Sequence, residues 1–260
     1  MGTSKRGEQS AQAATEALAA ALQKSTKIVG FTGAGISTES GIADYRSQGG
    51  LWDRYQPVYF EEFLSDESQR LLYWQRKRDT WPSISRARPN AGHLFFRALD
   101  DQRKLLGLIT QNVDGLHERS GIPKDRIVNL HGNTLETVCL SCGRMHSTGQ
   151  VLADSDQAGP APRCGECSGL LKPNTISFGQ NLRQAELQRA DSLCRECDFM
   201  IVAGSTLVVQ PAAGIPALAK QNGAGLAIIN LSATPLDALA DHVLREQIGP
   251  FLERLRVLLK

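Results

Sequence analysis

Paired cysteines are the first residues whose type and spacing could do chemistry. All six cysteines of the chain fall in C-x-x-C pairs: Cys139/Cys142, Cys164/Cys167 and Cys194/Cys197. The first two pairs are separated by 21 residues, close to the spacing of a zinc ribbon. Two such turns offer four thiolates at about 2.3 Å from one ion, a closed tetrahedral site that holds shape and leaves no position open for catalysis. Gly143, Gly165 and Gly169 supply the small residues that such turns need, and the polar segment 147–163 needs a staple to stay folded. One structural zinc ion on Cys139, Cys142, Cys164 and Cys167 is the expectation. Cys194 and Cys197 close a helical segment ahead of an apolar run and read as half-buried thiols without metal or redox work.

A second group of residues suits a nucleotide. Gly33-Ala34-Gly35-Ile36-Ser37-Thr38-Glu39-Ser40-Gly41 follows the apolar run 28–31, as a strand entering a glycine-rich turn that opens a helix. Such turns present backbone N–H groups and a helix N-terminus to phosphates. Thr38 stands where a dinucleotide fingerprint has its third glycine, so by itself the motif is weak. Asn112 and Asp114 lie two apart on a segment leaving another apolar run, placed to face one pocket or to cap a helix. His131 follows the apolar run 127–130 and precedes Gly132. An imidazole there can serve as a general base near neutrality or cap a loop carbonyl.

The elements that must position these groups follow from the apolar runs 28–31, 105–110, 199–204 and 226–230, with helical patterns between them. Strands alternating with helices predict an α/β fold, a Rossmann-like doubly wound parallel sheet with the cysteine ribbon inserted as a small domain. In such sheets ligands gather beyond the strand C-termini. There the chain carries Gly33-Ala34-Gly35, Gln111-Asn112-Val113-Asp114, Gly204-Ser205-Thr206 and Asn230. At 260 residues, 41% hydrophobic, 22% charged and a net charge of +2, the chain is an ordinary globular one with no basic run for nucleic acid. No apolar stretch approaches the ~20 residues of a membrane span. Residues 11–22 read as a surface helix behind a polar tail. The N-terminus lacks a signal-peptide core, and Glu8 and Glu16 fit poorly with a transit peptide. A cytoplasmic location is expected, or a mitochondrial one if a presequence has been removed.

Taken together, Gly33-Ala34-Gly35-Ile36-Ser37, Asp44-Tyr45-Arg46, Thr110-Gln111-Asn112-Val113-Asp114-Gly115-Leu116-His117, His131-Gly132-Asn133, the four cysteines, Phe178-Gly179 and Gly204-Ser205-Thr206-Leu207 occur in the order and spacing of the sirtuins. The chain resembles that family from about residue 28 to 255. Asp44-Tyr45-Arg46, Tyr73-Trp74 with Trp81-Pro82, and Cys139-Leu140-Ser141-Cys142 look most like its class II branch. The resemblance implies an NAD-dependent protein-lysine deacylase of the deacetylase type. Such an enzyme cleaves the nicotinamide–ribose bond and passes the acyl group of an acylated lysine to ADP-ribose, releasing nicotinamide and O-acyl-ADP-ribose.

The resemblance also assigns residues. His131 would take a proton from a ribose hydroxyl, Asp114 would bond the nicotinamide carboxamide, and Asn112 would orient the ribose or the attacking water. Gly33, Ala34, Gly35, Gln111, Val113, Gly204, Ser205 and Thr206 would hold ribose and phosphates, and Asp44, Tyr45 and Arg46 would close over the cofactor. Asn230, Leu231 and Ile248 align with adenosine-contacting positions. An acylated-lysine peptide would add as a strand beside 175–179, its N–H received by the Ile176 carbonyl, with Phe178 and Gly179 lining its entry. The implied partition is an N-terminal helix and tail over 1–25, an NAD-binding domain over 26–133 and 172–260, and a zinc-binding module over 134–171. Arg78 falls near where desuccinylating relatives bind an acidic acyl chain, with Gln75 in the place of its companion tyrosine. Residues 75–78 are read as a solvated helix face, so neutral acyl groups are expected, with succinyl- or lipoyl-lysine as alternatives. A mono-ADP-ribosyltransferase and a silent NAD sensor are the rival readings; intact Asn112, Asp114 and His131 speak against the second.

Overall fold

The protein, here a computed structural model, is described over residues 2–45, 49–155 and 159–259, with side chains from residue 12 onward and that of Trp52 excepted. Among the described residues nine strands form in chain order: β1 (Ile28–Thr32), β2 (Leu105–Thr110), β3 (Ile127–Asn129), β4 (Gly132–Cys139), β5 (Met145–Ser147), β6 (Leu171–Thr175), β7 (Phe199–Ala203), β8 (Gly225–Ile229) and β9 (His242–Leu244). Helices are α1 (Gly2–Lys24), α2 (Phe60–Ser65), α3 (Glu67–Arg86), α4 (Ala91–Asp101), α5 (Leu116–Arg119), α6 (Thr148–Asp154), α7 (Gln184–Glu196), α8 (Ile215–Gln221) and α9 (Ile248–Leu258).

The four apolar runs, joined by β3 and β9, make one parallel sheet in the order β3-β2-β1-β7-β8-β9. Continuous Val, Ile and Leu runs suit strands buried on both faces. Alternate residues face opposite layers. Ile28, Leu108, Ile201 and Ile229 join Leu18, Phe95, Phe96, Phe251 and Leu252 in one cluster. Val29, Phe31, Ile109, Val202 and Ile228 pack with Ala190, Cys194, Ala219 and Leu207 in the other. The expected surface helix at 11–22 is instead an outer layer of the first cluster. Leu18 and Leu22 sit at i and i+4 and are fully buried, and Gln23 ties the end of α1 to the Leu258 carbonyl.

A second, antiparallel sheet, β5-β4-β6, lies apart from the first. Helices α2 and α3 pack on this small sheet: Val58, Phe63 and Trp74 cluster with Cys139, Val151, Ala161, Cys164 and Leu171. Helix α3 bridges to α6 through Arg78, whose Nη2 donates to Ser155 Oγ at 2.7 Å.

The sheet order reverses between β1 and β7, which opens a crevice beyond their C-terminal ends. Ladder bonds continue one residue past the strands: Gly33 N–H to the Ala203 carbonyl, Gln111 N–H to Thr32, Leu130 N–H to Thr110, Gly204 N–H to Ile229 and Asn230 N–H to Leu244. These bonds register the loops that carry the polar groups. The turn after β1 forms a 3-10 helix over Ala34–Ser40 where the sequence suggested the start of an α-helix.

Candidate active site

The crevice opens into a cleft of about 1250 Å³ between the two sheets. Gly33, Ala34, Gly35, Asp44, Tyr45, Gln111, Asn112, Val113, His131, Ile176, Phe178, Gly179, Gly204, Ser205, Thr206, Asn230, Leu231 and Ile248 all line it. Arg46 lies outside the described residues. Asp114 does not reach the lining: it is 5% exposed and sits one layer behind. A buried carboxylate must be hydrogen-bonded. Ser37 Oγ–H donates to Asp114 Oδ2 at 2.7 Å and Leu116 N–H, at the start of α5, to Oδ1 at 2.9 Å. Burial nevertheless holds the Asp114 carboxyl above its ordinary range.

Backbone contact between the two glycine turns sets the floor of the cleft. A Cβ on Gly33 would stand 2.7 Å from the Gly204 carbonyl oxygen, and one on Gly204, whose φ is +69°, would stand 2.4 Å from Ile36 N. Only glycine permits this approach, and it keeps N–H groups of both turns at one edge. Asn112 is then fixed from three sides. Its backbone N–H donates to Thr110 Oγ1 at 3.0 Å, and its Nδ2 to the Gly33 carbonyl at 3.1 Å and to Ser37 Oγ at 3.2 Å. Ser37 therefore couples Asn112 to Asp114, a role that its place in the glycine motif did not announce. Gln111 Nε2 donates to Ser205 Oγ at 2.7 Å, joining the loops after β2 and β7.

His131 lies between β3 and β4, with Nδ1 at 2.9 Å from the Gln111 carbonyl oxygen. A carbonyl only accepts, so Nδ1 carries the proton and Nε2 keeps the basic lone pair. Burial pushes the His131 pKa down and the Gln111 carbonyl offsets part of that, so the ring is neutral at pH 7. Behind this loop His93 and His117 pack ring to ring at 4.8 Å, and His117 Nε2 is 2.9 Å from Thr32 Oγ1. Burial lowers the His93 pKa to about 4 and that of His117 well below its ordinary value. The unfolded chain therefore binds more protons than the native one between about pH 6.5 and 4. Folding stability should fall as pH drops through that window, His93 alone contributing about 3 kcal/mol. Urea melts at pH 7 and 4.5, compared with those of His93→Gln, check this; a pH dependence unaltered in the variant would refute it.

The far wall is built on the small sheet. Its edge strand β6 runs into the 176–179 loop, where Ile176 N–H donates to the His131 carbonyl and the Phe178 carbonyl accepts from Phe60 N–H, both at 2.9 Å. Phe178 and Tyr59 stand with ring centroids 6.0 Å apart, both substantially exposed. Fully buried Lys172 holds the Thr175 carbonyl at 2.5 Å, its ammonium lying over the rings of Phe60 and Tyr73; burial lowers its pKa to about 7. Residues 75–78 are not the solvated face that the sequence suggested. Tyr73, Arg76, Lys77 and Thr80, spaced i, i+3, i+4 and i+7 on α3, line the cleft, whereas Gln75 is exposed and Arg78 is bound to Ser155. Lys77 Nζ donates to Thr134 Oγ1 at 2.6 Å, and burial lowers its pKa to about 8. The helical period held the signal, but a register shift of two residues moved it from Tyr73 and Arg76 onto Gln75 and Arg78.

Away from the cleft, the Sγ atoms of Cys139, Cys142, Cys164 and Cys167 all lie within 4.8 Å of one another. Cys139–Cys167 and Cys142–Cys164 are 3.5 and 3.9 Å apart. A tetrahedron of sulfurs about 2.3 Å from zinc has edges of about 3.8 Å, so the donor set fits one ion. Cys194 and Cys197 are buried in the large core, and burial pushes their pKa values up to about 12 and 11, which keeps both as unreactive thiols. Among the described residues no helix is long and apolar enough to cross a membrane.

A family model described as the Sir2 family matches residues 33–211. The NAD-dependent protein deacetylase of Rhodopseudomonas palustris is 44% identical over 237 residues, 91% of this chain and 94% of that one. NAD-dependent protein deacylase 1 of Archaeoglobus fulgidus is 36% identical over 92% of this chain and 96% of its own. A solved structure described as "Sir2-p53 peptide-NAD+" superposes with a TM-score of 0.83 at 32% identity, covering 93% of this chain and 96% of that chain.

Proposed function

Because the chain belongs to the Sir2 family and is an NAD-dependent protein deacylase, we propose how its residues divide the work. NAD supplies a labile nicotinamide–ribose bond and an ADP-ribose acceptor for the acyl group. The glycine turns after β1 and β7, with Ser205 and Thr206, hold ribose and phosphates, and Asn230, Leu231 and Ile248 hold the adenosine. Asp44 and Tyr45, on the lining of the cleft, close over the cofactor. Asn112 positions the reacting ribose, braced by Ser37, and Asp114 fixes Ser37 and the start of α5 from behind; through that brace it orients the nicotinamide end. His131 Nε2 removes the hydroxyl proton.

The observation that carries this reading is the pinned tautomer of His131 in the same cleft as Asn112 and both glycine turns. The acylated peptide adds at the open edge of β6, where strand addition requires little of its sequence. In this reading 134–171 is the zinc-held module that presents β6, and 26–133 with 172–260 supplies the cofactor side.

A second reading concerns the acyl group. Tyr73, Arg76 and Lys77 in the cleft offer a phenol and two cations to an acidic chain, with Arg76 set over the Tyr55 ring and bonded to the Gln56 carbonyl. Both readings are tested by incubating the protein with NAD and acetyl-, succinyl- or lipoyl-lysine peptides and following O-acyl-ADP-ribose by mass. Deacylated peptide with one equivalent of O-acyl-ADP-ribose is expected. ADP-ribosylated protein without deacylation would instead favour a transferase. Arg76→Ala should lower the succinyl-to-acetyl rate ratio about tenfold if the acidic-chain reading holds, and an unchanged ratio would dismiss it.

A further inference from the structure

Glu39 is a carboxylate in the wall of a cleft that must accept an already anionic dinucleotide, and nothing said so far uses it. It sits in the 3-10 turn after β1 and reaches the first turn of α9, where Gly249 N–H donates to its Oε1 at 2.8 Å. A Cβ on Gly249 would lie 1.9 Å from Oε2, so only glycine lets the carboxylate rest against this helix end. An α-helix N-terminus in a nucleotide cleft attracts phosphate, because its N–H groups lack partners and its dipole favours negative charge. Here a tethered carboxylate already occupies it.

We propose that Glu39 makes this enzyme select NAD over its 2′-phosphorylated form. The inference rests on the placement of adenosine beside Asn230, Leu231 and Ile248, which line the cleft with Glu39. A ribose hydroxyl donates a hydrogen bond to the second carboxylate oxygen. A 2′-phosphate only accepts and carries about −1.5 to −2 charge, so it meets a like charge at the one place where the helix would have welcomed it. Among the described residues, compensation from nearby is scarce. The lining residues Asn230, Leu231, Ser232, Gln247 and Ile248 carry no positive charge. Arg245, which follows β9, donates to the Asn230 carbonyl and is paired with the Asp237 carboxylate. The general rule that an acidic side chain on the ribose hydroxyl favours NAD is thus met from an unusual position, a helix cap.

The test is calorimetric titration of the full-length protein with NAD and with NADP, before any peptide is added. Wild type should bind NAD at least about a hundredfold more tightly. Glu39→Gln keeps an acceptor for Gly249 N–H and removes the charge, so a role confined to capping predicts little change. The proposal predicts weaker NAD, stronger NADP and a ratio that falls at least tenfold. Gly249→Ala should displace the carboxylate and relax the ratio in the same direction, and it decides the matter if Glu39→Gln does not fold. A ratio within twofold of wild type in a folded variant overturns the proposal, as does a wild type that binds both equally. Asn112→Ala separates the two claims: if it leaves NAD binding and deacylation intact, the placement of the nucleotide is wrong. If it impairs them while Glu39→Gln leaves the ratio alone, only the inference on Glu39 fails.

Discussion

Replacing His131 with Ala lowers deacylation about 10²- to 10⁴-fold, the usual contribution of a positioned general base. The loss falls on kcat, because the imidazole is pinned to the Gln111 carbonyl and braces no phosphate or adenosine contact among the described residues. The pH profile gives the sharper signature. Burial holds the ring below its ordinary pKa of 6.5, so the base is already free at neutral pH. Wild-type kcat/KM should therefore be flat around pH 7 and fall as pH drops through that lowered value, and His131→Ala should lose this acid limb. Steady-state rates with an acetyl-lysine peptide between pH 5 and 8 measure both effects. A variant that keeps near wild-type kcat, or the same acid limb, would remove His131 as the base.

Loss of a zinc thiolate has the second-largest effect, and it acts at a distance. Cys139→Ser and Cys164→Ser each delete a ligand whose side chain is also core, at 1% and 2% exposure beside Trp74, Val58 and Leu171. Structural zinc contributes on the order of 10 kcal/mol to small domains, so either variant should lose bound metal and unfold the β5-β4-β6 sheet. Deacylation should disappear with it, although no cysteine lines the cleft, because β6, the proposed peptide edge, belongs to that sheet. Elemental analysis should give one zinc per wild-type chain and close to none in the variants, with a lower Tm. A full zinc complement in either variant would refute the four-cysteine site.

Much of the cofactor side was legible because local sequence and global fold agree there. Residues 28–31 and 105–109 are apolar throughout, as strands buried on both faces must be, and polar residues follow at the C-terminal ends, where a parallel sheet collects ligands. Other features were not legible, for separable reasons. The placement of α2 and α3 on the small sheet depends on contacts of Phe63 and Trp74 with residues about 65 to 110 positions away, and no periodicity encodes such a partner. Asp114 was expected to face the cleft from its two-residue spacing to Asn112. The chain turns into α5 at that point, and the helix start draws the carboxylate inward. The cleft face of α3 was mislocated by a register shift, since Gln75-Arg76-Lys77-Arg78 reads as polar from any angle. Glu39 escaped notice because its partner, Gly249 N–H, lies 210 residues away.

The proposed base and the proposed peptide edge meet in one antiparallel strand pair. His131 is followed by Gly132, which opens β4 opposite Thr175, and the next residue of the edge, Ile176, bonds back to the His131 carbonyl. The crossing is tight enough that a Cβ on Gly132 would lie 2.0 Å from the Asn174 carbonyl oxygen. Rail and proton acceptor are thus joined by main-chain bonds, while the Gln111 carbonyl ties the imidazole to the larger sheet. A lysine laid along that rail keeps its distance to the imidazole through main-chain geometry alone, whatever side chains flank it.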